Sequence, residues 1–242
     1  ACIAPHLDLP DARRDAPRVA RRIRDAGLRV SALSGFNCLT DPARLASELE
    51  AARLYLDLAP TFGTALVKLT PGGPASSAAG DDAWDCLRRA LDVLAPYARA
   101  RGLRLAFETH MRQLTDTCAS SERFLALAPA DVVGLTLDIS NLAFAGDDPL
   151  VAIPRLAGRT WNTHIKNGHV DEQGGWHFGP LDRGLTDYAA VLPLLAAARY
   201  DGYLTIECLG PAAAAQPREV ARRDRDILRR YLDKLGLAEE RL

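Results

Sequence analysis

Residues 103–110 read Leu-Arg-Leu-Ala-Phe-Glu-Thr-His (LRLAFETH), directly after a glycine stop at Ala100-Arg101-Gly102. A short apolar run behind a helix stop predicts a buried β-strand. Residues two apart in a strand share a face, so Glu108 and His110 are expected to point the same way at its carboxyl end. A carboxylate in that position is costly unless it meets a partner, a proton or a metal. Three more runs end in the same fashion: VGLTLDIS with Asp138, TWNTHIKN with His164 and YLTIECLG with Glu207. Four strands, each delivering one side chain of metal-ligand type, form the pattern from which the rest of the chain is read.

Around these runs the sequence alternates strands with amphipathic helices. LRVSALSG (28–35) and TALVKLT (64–70) read as further strands, and ACIAP (1–5) as a first strand or its tail. Helices are expected over 11–27, from Asp41-Pro42 to about Ala59, over 81–101, around 120–128, from Asp148-Pro149, over 186–199 and over 217–235. The Asp-Pro pairs supply an N-cap followed by a proline in the first turn. Such alternation predicts parallel strands covered by helices. No Gly-rich phosphate loop follows any strand, so a nucleotide-binding doubly wound sheet has no motif behind it. Polar residues gather instead at the carboxyl ends of many strands, where a (β/α)8 TIM barrel builds its site. The expectation is one α/β domain over residues 1–242, a TIM barrel lacking or truncated in its first β/α unit. An open barrel leaves strand edges that a second copy or a partner subunit would cover.

Composition narrows the function. The 242 residues are 48% hydrophobic with a net charge of −1, which offers no basic footprint for nucleic acid. No apolar run approaches the ~20 residues needed to span a bilayer. The N-terminus lacks the basic region and apolar core of a signal peptide. Five scattered cysteines without a C-x-x-C pair argue against a disulfide framework and predict a cytoplasmic protein.

Glu108, Asp138, His164 and Glu207 offer three carboxylates and one imidazole. Such an oxygen-rich set suits Mn²⁺, Mg²⁺ or Co²⁺, with Zn²⁺ also admissible. A buried polar network closing the barrel mouth is the bland alternative. Only three lysines occur, Lys68, Lys166 and Lys234, and two of them lie on strands. Lys166 shares a face with Asn162 and His164. It could steady an oxyanion or act as acid/base if a nearby metal lowers its pKa. His110 is a second acid/base candidate. His6, Asn37, Lys68, Asn141 and His177 are candidates for binding substrate, His177 within a Gly-rich loop (168–184) long enough to be a lid.

The segments ETH (108–110), LDISNLAFAGDDP (137–149), HIKNG (164–168), PLDRGLTDY (180–188) and YDGYLTIE (200–207) resemble the xylose isomerase-like TIM barrels, the sugar phosphate isomerase/epimerase group. The resemblance implies one divalent metal on Glu108, Asp138, His164 and Glu207, with Glu108 and Glu207 as proton acceptor and donor and Lys166 and His110 behind them. It implies an isomerase or epimerase acting on a sugar, keto-sugar or cyclitol through an enediolate. Alternatives are a lyase or dehydratase using the same site, or a non-catalytic barrel that binds a sugar or supports a partner. Ketose 3-epimerases of this group carry a substrate-binding His where Asn141 stands and a further Glu at Leu114, so their mode of substrate binding is not carried over. The endonuclease IV-like branch needs extra His and Asp ligands for three zinc ions. Here Asn141 stands at one such His position and the basic face is missing.

Overall fold

The structure is a computed structural model of the chain and describes residues 7 and 9–236. The expected strand at 1–5 and the candidate His6 lie outside the described residues. The chain divides into two compact units between Thr136 and Leu137.

In the first unit, α1 (Ala12–Asp25) buries only Ala12, Ala16 and Ala20, a stripe of small side chains one turn apart with the arginines left facing water. There follow β1 (Leu33–Ser34), α2 (Leu45–Leu58), β2 (Leu66–Leu69), α3 (Asp81–Arg99), β3 (Arg104–Glu108), α4 (Cys118–Leu127) and β4 (Val133–Asp138), the last running through the division. The strands pair in parallel in chain order, with Ser34 opposite Lys68, Lys68 opposite Ala106 and Glu108 opposite Thr136. Every residue of β2 and β4 is buried, as strands covered on both faces require. α3 lays Leu87, Ala90, Leu91, Leu94 and Ala98 on its buried side.

The boundaries depart from expectation where local hydrogen bonds win. Within 28–35 the strand is limited to Leu33 and Ser34, with the Gly35 N–H adding a bond to the Lys68 carbonyl (2.8 Å). Asp41 folds a turn instead of capping a helix: its side chain accepts from the Ala43 N–H (2.9 Å) and its carbonyl from the Arg44 N–H (3.1 Å). α4 starts at Cys118 because Thr117 and Ser120 form a reciprocal capping box. β3 stops at Glu108; His110 already begins a turn, its carbonyl accepting from the Gln113 N–H (3.2 Å). The strand phase that would align His110 with Glu108 therefore does not extend that far.

β3 is tied to α4 by Phe107 and Phe124, both fully buried with ring centroids 4.9 Å apart. Phe107→Ala is expected to cost about 3–5 kcal/mol, the transfer loss plus the cavity left behind. Urea unfolding checks this, and an unchanged midpoint would contradict it.

The second unit continues from β4 into α5 (Ile139–Phe144), then α6 (Pro149–Leu156), β5 (Thr160–Ile165), β6 (Asn167–Val170), β7 (Trp176–Gly179), α7 (Tyr188–Ala197), β8 (Leu204–Ile206), α8 (Gly210–Ala215) and α9 (Pro217–Lys234). α5 takes the place of the expected strand extension to Ser140, because Asp138 caps it by accepting from the Asn141 N–H (3.1 Å). Asp148 caps α6 as its Asp-Pro start predicts. β5 and β8 are parallel, with His164 opposite Thr205. The expected loop after Lys166 instead carries an antiparallel hairpin of β6 and β7. Its turn is closed by Asp171, whose side chain accepts from the Gln173 N–H (3.0 Å) and the Gly175 N–H (2.7 Å). Among the described residues no helix is long and apolar enough to cross a membrane.

Candidate metal centre

Asp138, His164 and Glu207 stand at the ends of β4, β5 and β8. Each offers a ligand atom, and those atoms lie within 4.8 Å of one another. His164 Nδ1 is 3.2 Å from Glu207 Oε1 and 3.7 Å from Asp138 Oδ2. Sheet geometry sets these places. Ladder pairing puts His164 beside Thr205, and the Glu207 N–H donates to the Ile165 carbonyl (2.9 Å). Asp138 is held by its capping bond to Asn141. Burial grades the carboxylates: the Asp138 side chain is fully enclosed, while that of Glu207 is 28% exposed. Glu207 is therefore the member that reaches solvent.

Lys166 lies under this cluster. Its ammonium contacts the Asp138 carboxylate and is 2.8 Å from Glu207 Oε2. Burial acts to lower its pKa, but the charges of Asp138 and then Glu207 outweigh it and hold the ammonium above the ordinary lysine value. Two carboxylates in contact thus overcome desolvation.

The Lys166 peptide falls between β5 and β6 and draws its hydrogen bonds from side chains. Its N–H donates to the Tyr188 hydroxyl (3.1 Å), which donates to the Lys166 carbonyl (2.6 Å). Ser140 donates to the same carbonyl and lies 3.1 Å from the Tyr188 hydroxyl and 2.9 Å from that of Thr186. Tyr188 is fully buried, and burial first of all pushes its phenol up in pKa. Neither Tyr188 nor Ser140 was legible as a site residue. The only signal was a hydroxyl on a segment rich in apolar neighbours.

In the first unit, Glu108 ends β3 with 2% of its surface exposed, and the buried Lys68 ammonium lies 2.5 Å from its carboxylate. The same ammonium sits 4.1 Å from the Phe36 ring centroid, a cation–π contact. Asn37 is buried, its amide donating to Glu48 Oε2 (3.1 Å). His110 is half-buried, its Nδ1 2.9 Å from the Met111 carbonyl oxygen. In the second unit Asn141 is buried in α5, and His177 is exposed on β7 with Nε2 2.6 Å from Asp171 Oδ2. The described cysteines Cys38, Cys86, Cys118 and Cys208 are all free, and burial pushes the Cys208 thiol up in pKa.

The donor set fits a hard divalent ion. An octahedral sphere with bonds of ~2.1 Å spaces adjacent ligand atoms ~3 Å apart and opposite ones ~4.2 Å apart. The 3.2 Å and 3.7 Å separations about His164 Nδ1 lie within that range. Two carboxylates against one ammonium also leave negative charge that a cation would neutralise.

Residues 2–231 match the family model described as xylose isomerase-like TIM barrel. Among curated proteins, an inosose dehydratase from Lacticaseibacillus casei is 27% identical over 167 residues, 63% of this chain and 55% of the relative. The chain thus spans about half the length of the curated relatives it matches. Among solved structures, a xylose isomerase domain protein from Planctomyces limnophilus aligns with a TM-score of 0.82 at 21% identity, covering 97% of this chain and 88% of that one. A xylose isomerase-like TIM barrel protein from Mycobacterium smegmatis in complex with magnesium aligns with a TM-score of 0.76 at 22% identity, covering 96% and 81%. The α/β TIM barrel class expected from the strand ends is the fold of this chain.

Proposed function

Because the chain belongs to the xylose isomerase-like TIM barrel family, we propose that it serves a divalent-metal enzyme that moves a proton beside the carbonyl of a sugar, keto-sugar or keto-cyclitol. The observation that carries this reading is the Asp138–His164–Glu207 cluster with Lys166 against it. Glu108 is proposed as the fourth holder of the ion, since a buried carboxylate at a strand's carboxyl end has that chemistry to offer. Mn²⁺ is the proposed ion, with Mg²⁺ supported by the magnesium complex of a structural relative. When bound, the ion would supply a Lewis acid that eases negative charge on a carbonyl oxygen.

The chain's own residues divide the remaining work. Asp138, enclosed and committed to its cap, is a holder and not a proton carrier. Glu207, part-exposed, is the group that takes the proton from the carbon next to the carbonyl. The bonding pair of that C–H becomes the double bond of an enediolate. Lys166 supplies positive charge beside Glu207. Glu207 passing the proton to the neighbouring carbon gives an isomer; an epimer needs a second group that donates a proton from the opposite face, the role proposed for Glu108. Expelling a β-hydroxide, which leaves as water once protonated, gives dehydration. The inosose dehydratase relatives favour this second outcome, on a keto-cyclitol. Free thiols at the described cysteines support a reducing cytoplasm as the setting.

The test is deuterium uptake. Mn²⁺-loaded protein is incubated in D₂O with a panel of keto-sugars and keto-cyclitols, and incorporation is read by mass spectrometry. At least one ketone is expected to gain deuterium next to its carbonyl. Glu207→Gln should slow that uptake by about 10²–10⁴-fold, the usual worth of a general base. No uptake by any ketone at full metal occupancy would overturn the reading.

A further inference from the structure

The β6–β7 hairpin starts one residue after Lys166 and holds polar groups that the proton-transfer chemistry leaves unused. His169 and His177 face each other across its ladder. Their rings stack with centroids 4.9 Å apart and planes 14° from parallel. Beside them is a cavity of about 280 Å³, lined also by Gly168, Arg183 and Gly184 and by no carboxylate. Drug-sized ligands occupy roughly 300–1,000 Å³, so this space suits one substituent better than a whole molecule.

The cavity is built into the fold. Arg183 rides on a turn closed by its own N–H on the Pro180 carbonyl (3.0 Å). Asn167 pins that turn with its whole amide, donating to the carbonyls of Leu181 (2.9 Å) and Thr186 (2.8 Å) and accepting from the N–H groups of Gly168 (2.9 Å) and Thr186 (3.1 Å). Glycine is needed at the closest approaches. A Cβ on Gly168 would sit 2.0 Å from the His177 carbonyl oxygen, and one on Gly184 would sit 2.2 Å from Asn167 Oδ1.

Arg183 is uncommitted in a way the neighbouring arginines are not. Arg223 holds Asp224 at 2.8 Å and Arg230 faces Asp182 at 4.0 Å. Arg183 makes no ion pair among the described residues. Asp171 orients the His177 ring through Nε2, leaving Nδ1 as its other polar atom.

We propose that His169, His177 and Arg183 bind an anionic substituent, a phosphate ester or carboxylate, carried by the substrate. Two imidazoles and a guanidinium around a small carboxylate-free cavity are the chemistry that recognises such a group. The substrate assignment rests on the proton-transfer reading above, whereas anion binding itself does not.

The first arm titrates the protein with inorganic phosphate and follows histidine ring NMR signals. The His169 and His177 signals are expected to shift saturably, and Arg183→Met should abolish the shift. Unmoved rings overturn the site. The second arm compares deuterium uptake by a phosphorylated ketone, a carboxylated ketone and a neutral ketone. Arg183→Met should lower kcat/KM about 10-fold or more for whichever anionic ketone is the substrate, the worth of one charge-assisted hydrogen bond. The neutral ketone should hold its rate. Equal losses on charged and neutral ketones, or a ring shift with no discrimination, overturn the substrate assignment. If no ketone takes up deuterium the proton-transfer reading fails, a result the phosphate titration reports separately.

Discussion

Lys166→Met is expected to lower the stability of the metal-free protein by about 3–5 kcal/mol, the cost of removing one partner from a buried charged group. The ammonium touches Asp138 and Glu207, and the Asp138 side chain has no exposed surface from which water could replace it. Met fills a similar volume, so the loss comes from charge and not from a cavity. The same physics predicts recovery on adding metal. A divalent ion on the same carboxylates neutralises what the lysine leaves behind. Binding to the folded state at 100 times Kd adds about 2.7 kcal/mol. Urea unfolding with and without Mn²⁺ measures both parts. The variant should be the more metal-dependent of the two proteins. Equal stabilities without metal would show that the lysine does not carry the charge of this cluster.

Asp138→Asn is expected to cost the protein its metal while leaving its fold standing. Asn is as good an N-cap as Asp, so the bond from the Asn141 N–H and the start of α5 should survive. What disappears is one negative charge among the ligands. Replacing groups that merely support a ligand already costs about 10–100-fold in affinity, and loss of the ligand charge should cost at least about 100-fold. Equilibrium dialysis against Mn²⁺ gives the affinity, and circular dichroism reports the fold. Unchanged uptake would remove Asp138 from the ligand set.

The strands that end in Asp138, His164 and Glu207 were legible because a carboxylate or imidazole closing an apolar run is costly to bury without a partner. His164 and Lys166, two residues apart, both meet Asp138 and Glu207, which fits the strand period of two. The Lys166 environment was not legible, since the direction of its shift depends on two carboxylates 28 and 41 residues away. The shared face of Glu108 and His110 is not fixed by strand alternation, because the strand ends at Glu108 and a turn takes over at His110. α5 was hidden because Ile139 continues the apolar run, although an Asp before ISNLAF is itself a capping signal. Tyr188, Ser140 and Asn167 escaped notice because they serve peptide groups brought near by folding, and no sequence period marks that work. The hairpin is hidden in the sequence because glycines that resemble loop punctuation in fact permit close packing of two backbones.

Asp138, His164 and Glu207, joined by Glu108, are proposed to hold one divalent ion, and the proton-transfer chemistry depends on it. Mn²⁺ titration of metal-stripped protein, followed by electron paramagnetic resonance, tests it most directly. The wild-type chain is predicted to bind one Mn²⁺ and Glu207→Ala to lose most of that affinity. A Glu207→Ala protein that takes up as much Mn²⁺ as wild type would contradict the proposal.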